Sequence, residues 1–233
     1  MILSENFVTI QGEGKYLGHP SLFIRSNGCQ LRCSWKNEDG TITKCDTPYT
    51  SWNPQSEPVT TVDINDLLLL AEESKVKHVV ITGGEPTLQQ DIESVVNSLC
   101  EQYKVTVETN GIIFKKFPKK TLMSISPKLS NSNASNSVLH YKNNHFTKSV
   151  KKYVYYNDYQ LKFVVNTEDD IKEINDIVKE VRASNEKVYL MPQGITTEQF
   201  KEKAEWVIKQ CIENGYNYAP RAHIEIWGNV RGK

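Results

Sequence analysis

The 233-residue sequence lacks a net charge: 28 lysines and arginines stand against 28 aspartates and glutamates. A neutral chain does not hold DNA or RNA by bulk counterion release, which argues against a nucleic-acid partner. Also missing is any run of about 18 uncharged apolar residues, so no membrane span is expected. Met1 to Asn6 show no basic start followed by an apolar core, and no secretory signal is read there. The expectation is a cytoplasmic protein with reduced thiols. Neither a short internal repeat nor a clear domain boundary is visible, so residues 1–233 read as a single domain. A chain of this length buries roughly 70–75% of its unfolded surface and needs no disulfide staples. The odd set of five cysteines then requires metal binding, catalysis or packing.

What is present alternates strand and helix patterns. Ser21–Arg25, Val76–Thr82, Lys104–Val107, Leu122–Ile125, Leu161–Val165, Val188–Leu190 and Ala222–Trp227 read as strands. Helices are expected over Asp63–Ser74, with Thr60, Thr61 or Asp63 as the cap, and on the stripe Leu88, Ile92, Val95, Val96, Leu99, Tyr103. Two more carry Ile171, Ile174, Val178, Val181 and Phe200, Ala204, Val207, Ile208, Cys211. Thr196 and Gln199 offer the last one a capping box, and Gly215 a stop. Strands separated by helices imply a parallel sheet. About six such units fall short of an eight-fold barrel, so a partial, open (β/α)6-type barrel is expected. Residues 130–158, rich in Asn, Ser, Lys and Tyr, read as an elaborated loop or extra hairpin.

Cys29, Cys33 and Cys45 form C-x3-C-x11-C. Three thiolates can hold a [4Fe-4S] cubane with one iron left open to a small molecule. A structural zinc site needs a fourth ligand, such as His19. Spacing alone leaves both readings open. Cys100 and Cys211 sit on helical apolar faces and read as packing.

Polar clusters follow the strands: Thr82-Gly83-Gly84-Glu85-Pro86, Glu108-Thr109-Asn110-Gly111, Ser126-Pro127-Lys128 and Met191-Pro192-Gln193-Gly194. In β/α barrels ligands bind at the C-terminal strand ends. With these clusters in view, the chain resembles the radical S-adenosylmethionine (SAM) superfamily through its three cysteines and G-G-E-P. Within it, Gln11-Gly12-Glu13-Gly14, Phe23-Ile24-Arg25, Cys45-Asp46-Thr47 and the ending His223 to Asn229 resemble the 7-carboxy-7-deazaguanine synthase family. The likeness spans most of the chain apart from 130–158. One departure is plain: the superfamily pattern is C-x3-C-x2-C, and here nine residues, Lys36–Lys44, are inserted. Asp39-Gly40 signals a hairpin that would bring Trp35 back to Cys45, and loop closure grows only by about 0.6 kcal/mol per doubling of length.

The resemblance implies a carbon–nitrogen lyase with a [4Fe-4S] cluster on Cys29, Cys33 and Cys45, and SAM on its open iron. SAM contacts carried over are Trp35, Asp46, Gly84, Glu85, Ser126, Pro127, Lys128, Met191, Pro192, Gln193 and Gly194; Gly84 and Glu85 would hold the methionyl amine. A 5′-deoxyadenosyl radical would take hydrogen from 6-carboxy-5,6,7,8-tetrahydropterin. The ring would then contract with loss of ammonia to 7-carboxy-7-deazaguanine, in 7-deazapurine (queuosine-type) biosynthesis. Ile10, Gln11, Gly12, Arg25, Thr82 and His223 would contact the substrate, and Thr47 would ligate Mg²⁺; no catalytic side chain is implied beyond the cluster and SAM. A flavodoxin- or ferredoxin-like electron donor and a homodimer are implied as well. Beside this stand plainer readings. Arg25 could be an ordinary salt-bridge partner, His223 a satisfied core histidine and Trp227 packing. Lys162, inside an apolar strand, needs a partner or a job. The runs Lys115–Lys120 and Lys148–Lys152 read as solvated loops. Rival functions are another radical SAM enzyme, such as a glycyl-radical activase, and a non-catalytic zinc protein.

Overall fold

The computed structural model describes residues 1–37 and 39–233; position 38, inside the expected 36–44 hairpin, lies outside them. Strands β1 (Ile2–Ile10) and β2 (Pro20–Ser26) come first, followed by β3 (Ser34–Lys36), β4 (Ile42–Lys44), helix α1 (Pro48–Ser51) and β5 (Thr60–Thr61). Next are α2 (Ile64–Glu73), β6 (His78–Gly83), α3 (Ile92–Cys100), β7 (Lys104–Thr109) and β8 (Leu122–Ile125). The chain continues through α4 (Val138–Asn143), α5 (Thr147–Tyr156), β9 (Asp158–Val165) and α6 (Glu168–Val181). It ends with β10 (Val188–Pro192), α7 (Thr197–Asn214), β11 (Asn217–Tyr218) and α8 (Ala222–Trp227).

The main sheet has the order β11-β10-β9-β8-β7-β6-β2-β1-β5. Every pairing from β2 across to β11 is parallel, whereas β1 is antiparallel to both β2 and β5. Edges β5 and β11 do not pair, so the sheet makes the partial, open barrel expected from the sequence. Parallel strands are covered on both faces, which is why β6 reads as a continuous apolar run: His78 to Thr82 are all buried. Helix α3 buries Ile92, Val95, Val96, Leu99 and Cys100 against this sheet; α6 buries Ile171, Ile174, Ile177, Val178 and Val181. Each such side chain contributes about 1.5–3 kcal/mol. Asp63 caps α2 in a capping box with Asp66. Thr196 and Gln199 form the box of α7, which Gly215 ends at φ +67°. Cys100 and Cys211 are buried, as packing requires.

Several expectations need correction. Ala222–Trp227 is a helix, not a strand. Its alternating run is too short for periodicity to choose, and the preceding Arg221 is anchored by Glu13 and Asp46. Within it only Ile224 is buried, while Trp227 is 37% exposed. Residues 130–158 are not a loop or hairpin; they carry α4 and α5, which anchor through Val150 and Tyr153. Lys148–Lys152 therefore lie on a helix. Leu88 precedes α3 in a 3-10 turn and is 40% exposed. Strand β1 escaped the sequence reading because Ser4-Glu5-Asn6 breaks its alternation, where a register shift between Leu3 and Glu5 re-aims the side chains.

Candidate active site

The C-terminal tips of β2, β6, β7, β8, β9 and β10 open onto one cavity of about 470 Å³. Cys29, Cys33 and Cys45 all line it. The described residues around the insertion pair as the expected hairpin: Ser34 pairs with Lys44, Trp35 with Thr43 and Lys36 with Ile42. The Cys45 amide donates to the Cys33 carbonyl at 3.1 Å. Adjacency that a two-residue spacing would give through the chain is thus restored across strands. Trp35 lines the cavity with its indole N–H held by Asn131 Oδ1 at 3.2 Å. Lys44, the residue before Cys45, also lines it, with its ammonium 4.7 Å from the Trp52 ring centroid.

The glycine turn is stitched to the cysteine loop. The Gly84 amide donates to Ser26 O at 3.1 Å and the Glu85 amide to Gly28 O at 2.8 Å. A Cβ on Gly84 would stand 2.1 Å from the Gly28 carbonyl oxygen, so only glycine allows this approach. The Glu85 side chain does not reach the cavity, contrary to the expected contact with an ammonium. It is fully buried and accepts from Thr87 N and Oγ1, Thr109 Oγ1 and Asn110 N at 2.6–3.0 Å. Its carboxylate shapes the turn after β7. Pro127 is also absent from the lining, whereas Ser126, Lys128 and Met191 to Gly194 belong to it. Lys128 donates to Ser126 Oγ at 2.7 Å. Burial pushes the Cys29 thiol to about 12 and also raises Cys33 and Cys45, while the Lys128 cation pulls all three the other way.

The same cavity is lined by Ile10, Gln11, Gly12, Arg25, Thr82 and His223. Arg25 uses Nε to bond Glu5 at 2.7 Å and sits 5.7 Å from the Phe7 ring centroid. Glu5 also accepts from Tyr49 and Arg231. Arg25 is therefore both a salt-bridge partner and a cavity residue. Glu108 collects Thr82 Oγ1 at 2.8 Å and Gln11 Nε2 at 3.2 Å. The Gly12 Cα faces the imidazole so closely that a Cβ would meet His223 Nδ1 at 2.1 Å. Burial lowers the His223 pKa. Lys162 has its partner: it bonds Glu13, which also accepts from Arg221 Nε at 3.0 Å. Burial pushes the Glu13 carboxyl up, but the Lys162 and Arg221 cations outweigh it and hold it well below the usual carboxylate range. Arg221 continues to Asp46 at the rim. Thr47, the N-cap of α1, makes no side-chain capping bond and lines the cavity.

Comparison with known proteins decides the family. Residues 23–207 match the model of the Radical SAM superfamily. A 7-carboxy-7-deazaguanine synthase from Rhodopirellula baltica is 38% identical over 100% of this chain and 88% of its own. The chain belongs to the 7-carboxy-7-deazaguanine synthase family of the radical SAM superfamily. Another synthase, from Halobacterium salinarum, is 33% identical over 98% of this chain and 91% of its own length. The crystal structure of QueE from Escherichia coli shares the fold, with a TM-score of 0.67 at 23% identity, covering 95% and 94% of the two chains.

Membership of the radical SAM superfamily implies a [4Fe-4S] cluster and SAM. The donor set fits such a cluster: three thiols share one cavity, with Lys128 beside them to favour the thiolates. A zinc site completed by His19 does not fit. His19 contacts Tyr16 and lies beside Ser21 and His78, at the opposite end of β2 and β6 from the cysteine loop. Among the described residues no three His, Cys, Asp or Glu side chains converge tightly enough for a single metal ion. Glu5 and Arg221 escaped the sequence reading, and Glu13 and Glu108 were quoted only as parts of motifs. Their partners are distant in the chain, and nothing in the local spacing marked Glu5 or Arg221.

Proposed function

We propose that this chain contracts 6-carboxy-5,6,7,8-tetrahydropterin to 7-carboxy-7-deazaguanine with release of ammonia, as a 7-deazapurine-forming lyase. The observation that carries the reading is that Cys29, Cys33 and Cys45 line the same cavity as Arg25, Gln11 and Thr47. When bound, the cluster and SAM supply a radical that takes one hydrogen atom from the substrate. Cys29, Cys33 and Cys45 hold the cluster. Gly84, Ser126, Lys128 and Met191 to Gly194 line the SAM side, Trp35 offers a flat apolar face, and Asp46 is tethered at the rim by Arg221. Glu85 and Pro127 act from behind this layer by shaping it.

Because Nε of Arg25 is taken by Glu5, its two terminal amino groups remain for the substrate carboxylate, a paired arrangement that lysine cannot copy. Gln11 and Thr82, both oriented by Glu108, offer polar groups to the pterin edge, with backbone from Ile10 and Gly12. Burial disfavours the charged form of His223, whose imidazole can exchange a hydrogen bond with the ring. The Thr47 hydroxyl suits Mg²⁺, a hard cation that takes oxygen ligands and keeps several waters; such an ion would orient the substrate carboxylate. A flavodoxin- or ferredoxin-like donor, a homodimer and a cytoplasmic setting complete the proposal. Among the described residues no helix is long and apolar enough to cross a membrane.

The test is an anaerobic assay of the reconstituted protein with SAM, reductant and the carboxypterin, with and without Mg²⁺. The deazaguanine is expected to form, faster with Mg²⁺. SAM cleavage without that product would assign another substrate, and a colourless protein that binds only zinc would remove the radical chemistry.

A further inference from the structure

Charge in this neutral chain is unevenly spread: residues 109–157 hold nine lysines and neither aspartate nor glutamate. Acids from neighbouring elements meet only part of this stretch. Glu93 pairs with Lys115, Glu180 with Lys151, and Glu173 accepts from the Ser130 amide and hydroxyl. Lys142 and Lys148 are exposed and stand outside those pairs. Beside them α4 turns Val138 (65% exposed), Leu139 (44%) and Tyr141 (78%) to solvent. Half of a six-residue helix is thus apolar, unpartnered and flanked by positive charge.

This patch is fastened to the cysteine loop at both ends. Asn143 Nδ2 donates to the Gln30 carbonyl at 2.9 Å, between Cys29 and Cys33. Ahead of α4, the Ala134 amide donates to Ser34 O at 3.1 Å and the Ser135 amide to Ser34 Oγ at 2.9 Å, just past Cys33. Asn144 Nδ2 bonds the Lys128 carbonyl at 2.7 Å. A protein seated on α4 is therefore separated by one hydrogen-bonded layer from the backbone that carries two of the three thiols.

We propose that α4, with Lys142 and Lys148, is the docking surface for a small acidic one-electron carrier protein. The inference rests on the radical reading, which requires an external reductant. Charge complementarity selects the partner: an acidic carrier meets two exposed lysines on helices that carry no acid of their own, and the exposed Val138, Leu139 and Tyr141 supply a desolvated centre. A cluster held by Cys29, Cys33 and Cys45 would take up the one electron by which the docked carrier is oxidised.

The experiment measures binding of a flavodoxin to the reconstituted protein at low and high salt. Wild type is compared with the double variant Lys142→Glu/Lys148→Glu and with Tyr141→Ala. SAM cleavage is followed in parallel, driven either by reduced flavodoxin or by dithionite. Binding to wild type is expected to weaken with salt, and both variants are expected to bind about tenfold or more weakly. Their flavodoxin-driven cleavage should fall while the dithionite-driven rate stays unchanged. Equal binding by the variants, no binding by wild type, or an equal fall with dithionite overturns the proposal. So does weakened binding of a transfer-RNA probe with flavodoxin binding unaltered, which would make the face a nucleic-acid surface. Loss of dithionite-driven SAM cleavage in wild type itself would instead sink the radical reading, and the affinities would still judge the surface.

Discussion

The two walls of the cavity are built by different physics. The cysteine wall is held by neutral bonds onto backbone carbonyls: Cys45 N to Cys33 O, Glu85 N to Gly28 O and Asn143 Nδ2 to Gln30 O. The other wall is held by charge: Lys162 and Arg221 converge on Glu13, and Arg25, Tyr49 and Arg231 converge on Glu5. A wall of neutral bonds onto backbone carbonyls tolerates an inserted hairpin, because the insertion leaves by one strand and returns by its neighbour. A wall of coupled buried charges does not tolerate loss of one member, since the others are left without their counterion.

The comparison can be broken first at the sulfur ligands. Replacing Cys29 or Cys45 by Ala is expected to abolish stable cluster binding and all SAM cleavage, read as iron and sulfide content, with the fold retained in circular dichroism. Next in size is Glu13→Gln, which leaves Lys162 and Arg221 buried beside a neutral group and should cost about 3–5 kcal/mol in urea unfolding. The pH dependence follows from the same pair. The folded pKa of Glu13 lies below the unfolded value, so its stabilisation is present above roughly pH 4.3 and lost as pH falls further. Lys162 is shifted upward, so its share is complete below roughly pH 10.4 and lost as pH rises through the folded value. Stability profiles of wild type and Glu13→Gln should therefore converge toward low pH, and parallel profiles would contradict this account.

Arg25→Lys should raise KM for the carboxypterin on the order of tenfold or more by removing a paired charged contact. Iron content and SAM affinity should be unaltered. The smallest effect is expected from joining Trp35 directly to Cys45 by deleting 36–44. The cluster should assemble as before, and SAM affinity should change only a few-fold through lost contacts of Thr43 and Lys44 with the cavity. Loss of the cluster on this deletion would show that the hairpin, rather than the backbone bonds around it, holds the cysteine wall.

The same contrast governs what was legible in the sequence. Features written in consecutive residues were readable: the apolar run of β6, the Thr196–Gln199 capping box, and the Asp39-Gly40 turn, where Gly40 adopts φ +83° and the Thr41 amide bonds Asp39. The cysteine wall therefore emerged from motifs. The charged wall did not, because Glu13 meets Lys162 across 149 residues and Arg221 across 208. Lys162 alone hinted at it, as a lysine in an apolar strand. Glu85 was misplaced because its motif names the residue but not its direction: the chain turns the carboxylate inward onto Thr87, Thr109 and Asn110. The α8 segment misled for a local reason, since six alternating residues fit either periodicity until Arg221 is anchored.

The most direct test of the central claim is electron paramagnetic resonance of the anaerobically reconstituted, reduced protein with and without SAM. A [4Fe-4S] signal that changes on adding SAM and disappears in Cys45→Ala is expected. A protein that carries only zinc, or a cluster signal indifferent to SAM, would contradict an open iron facing the substrate cavity.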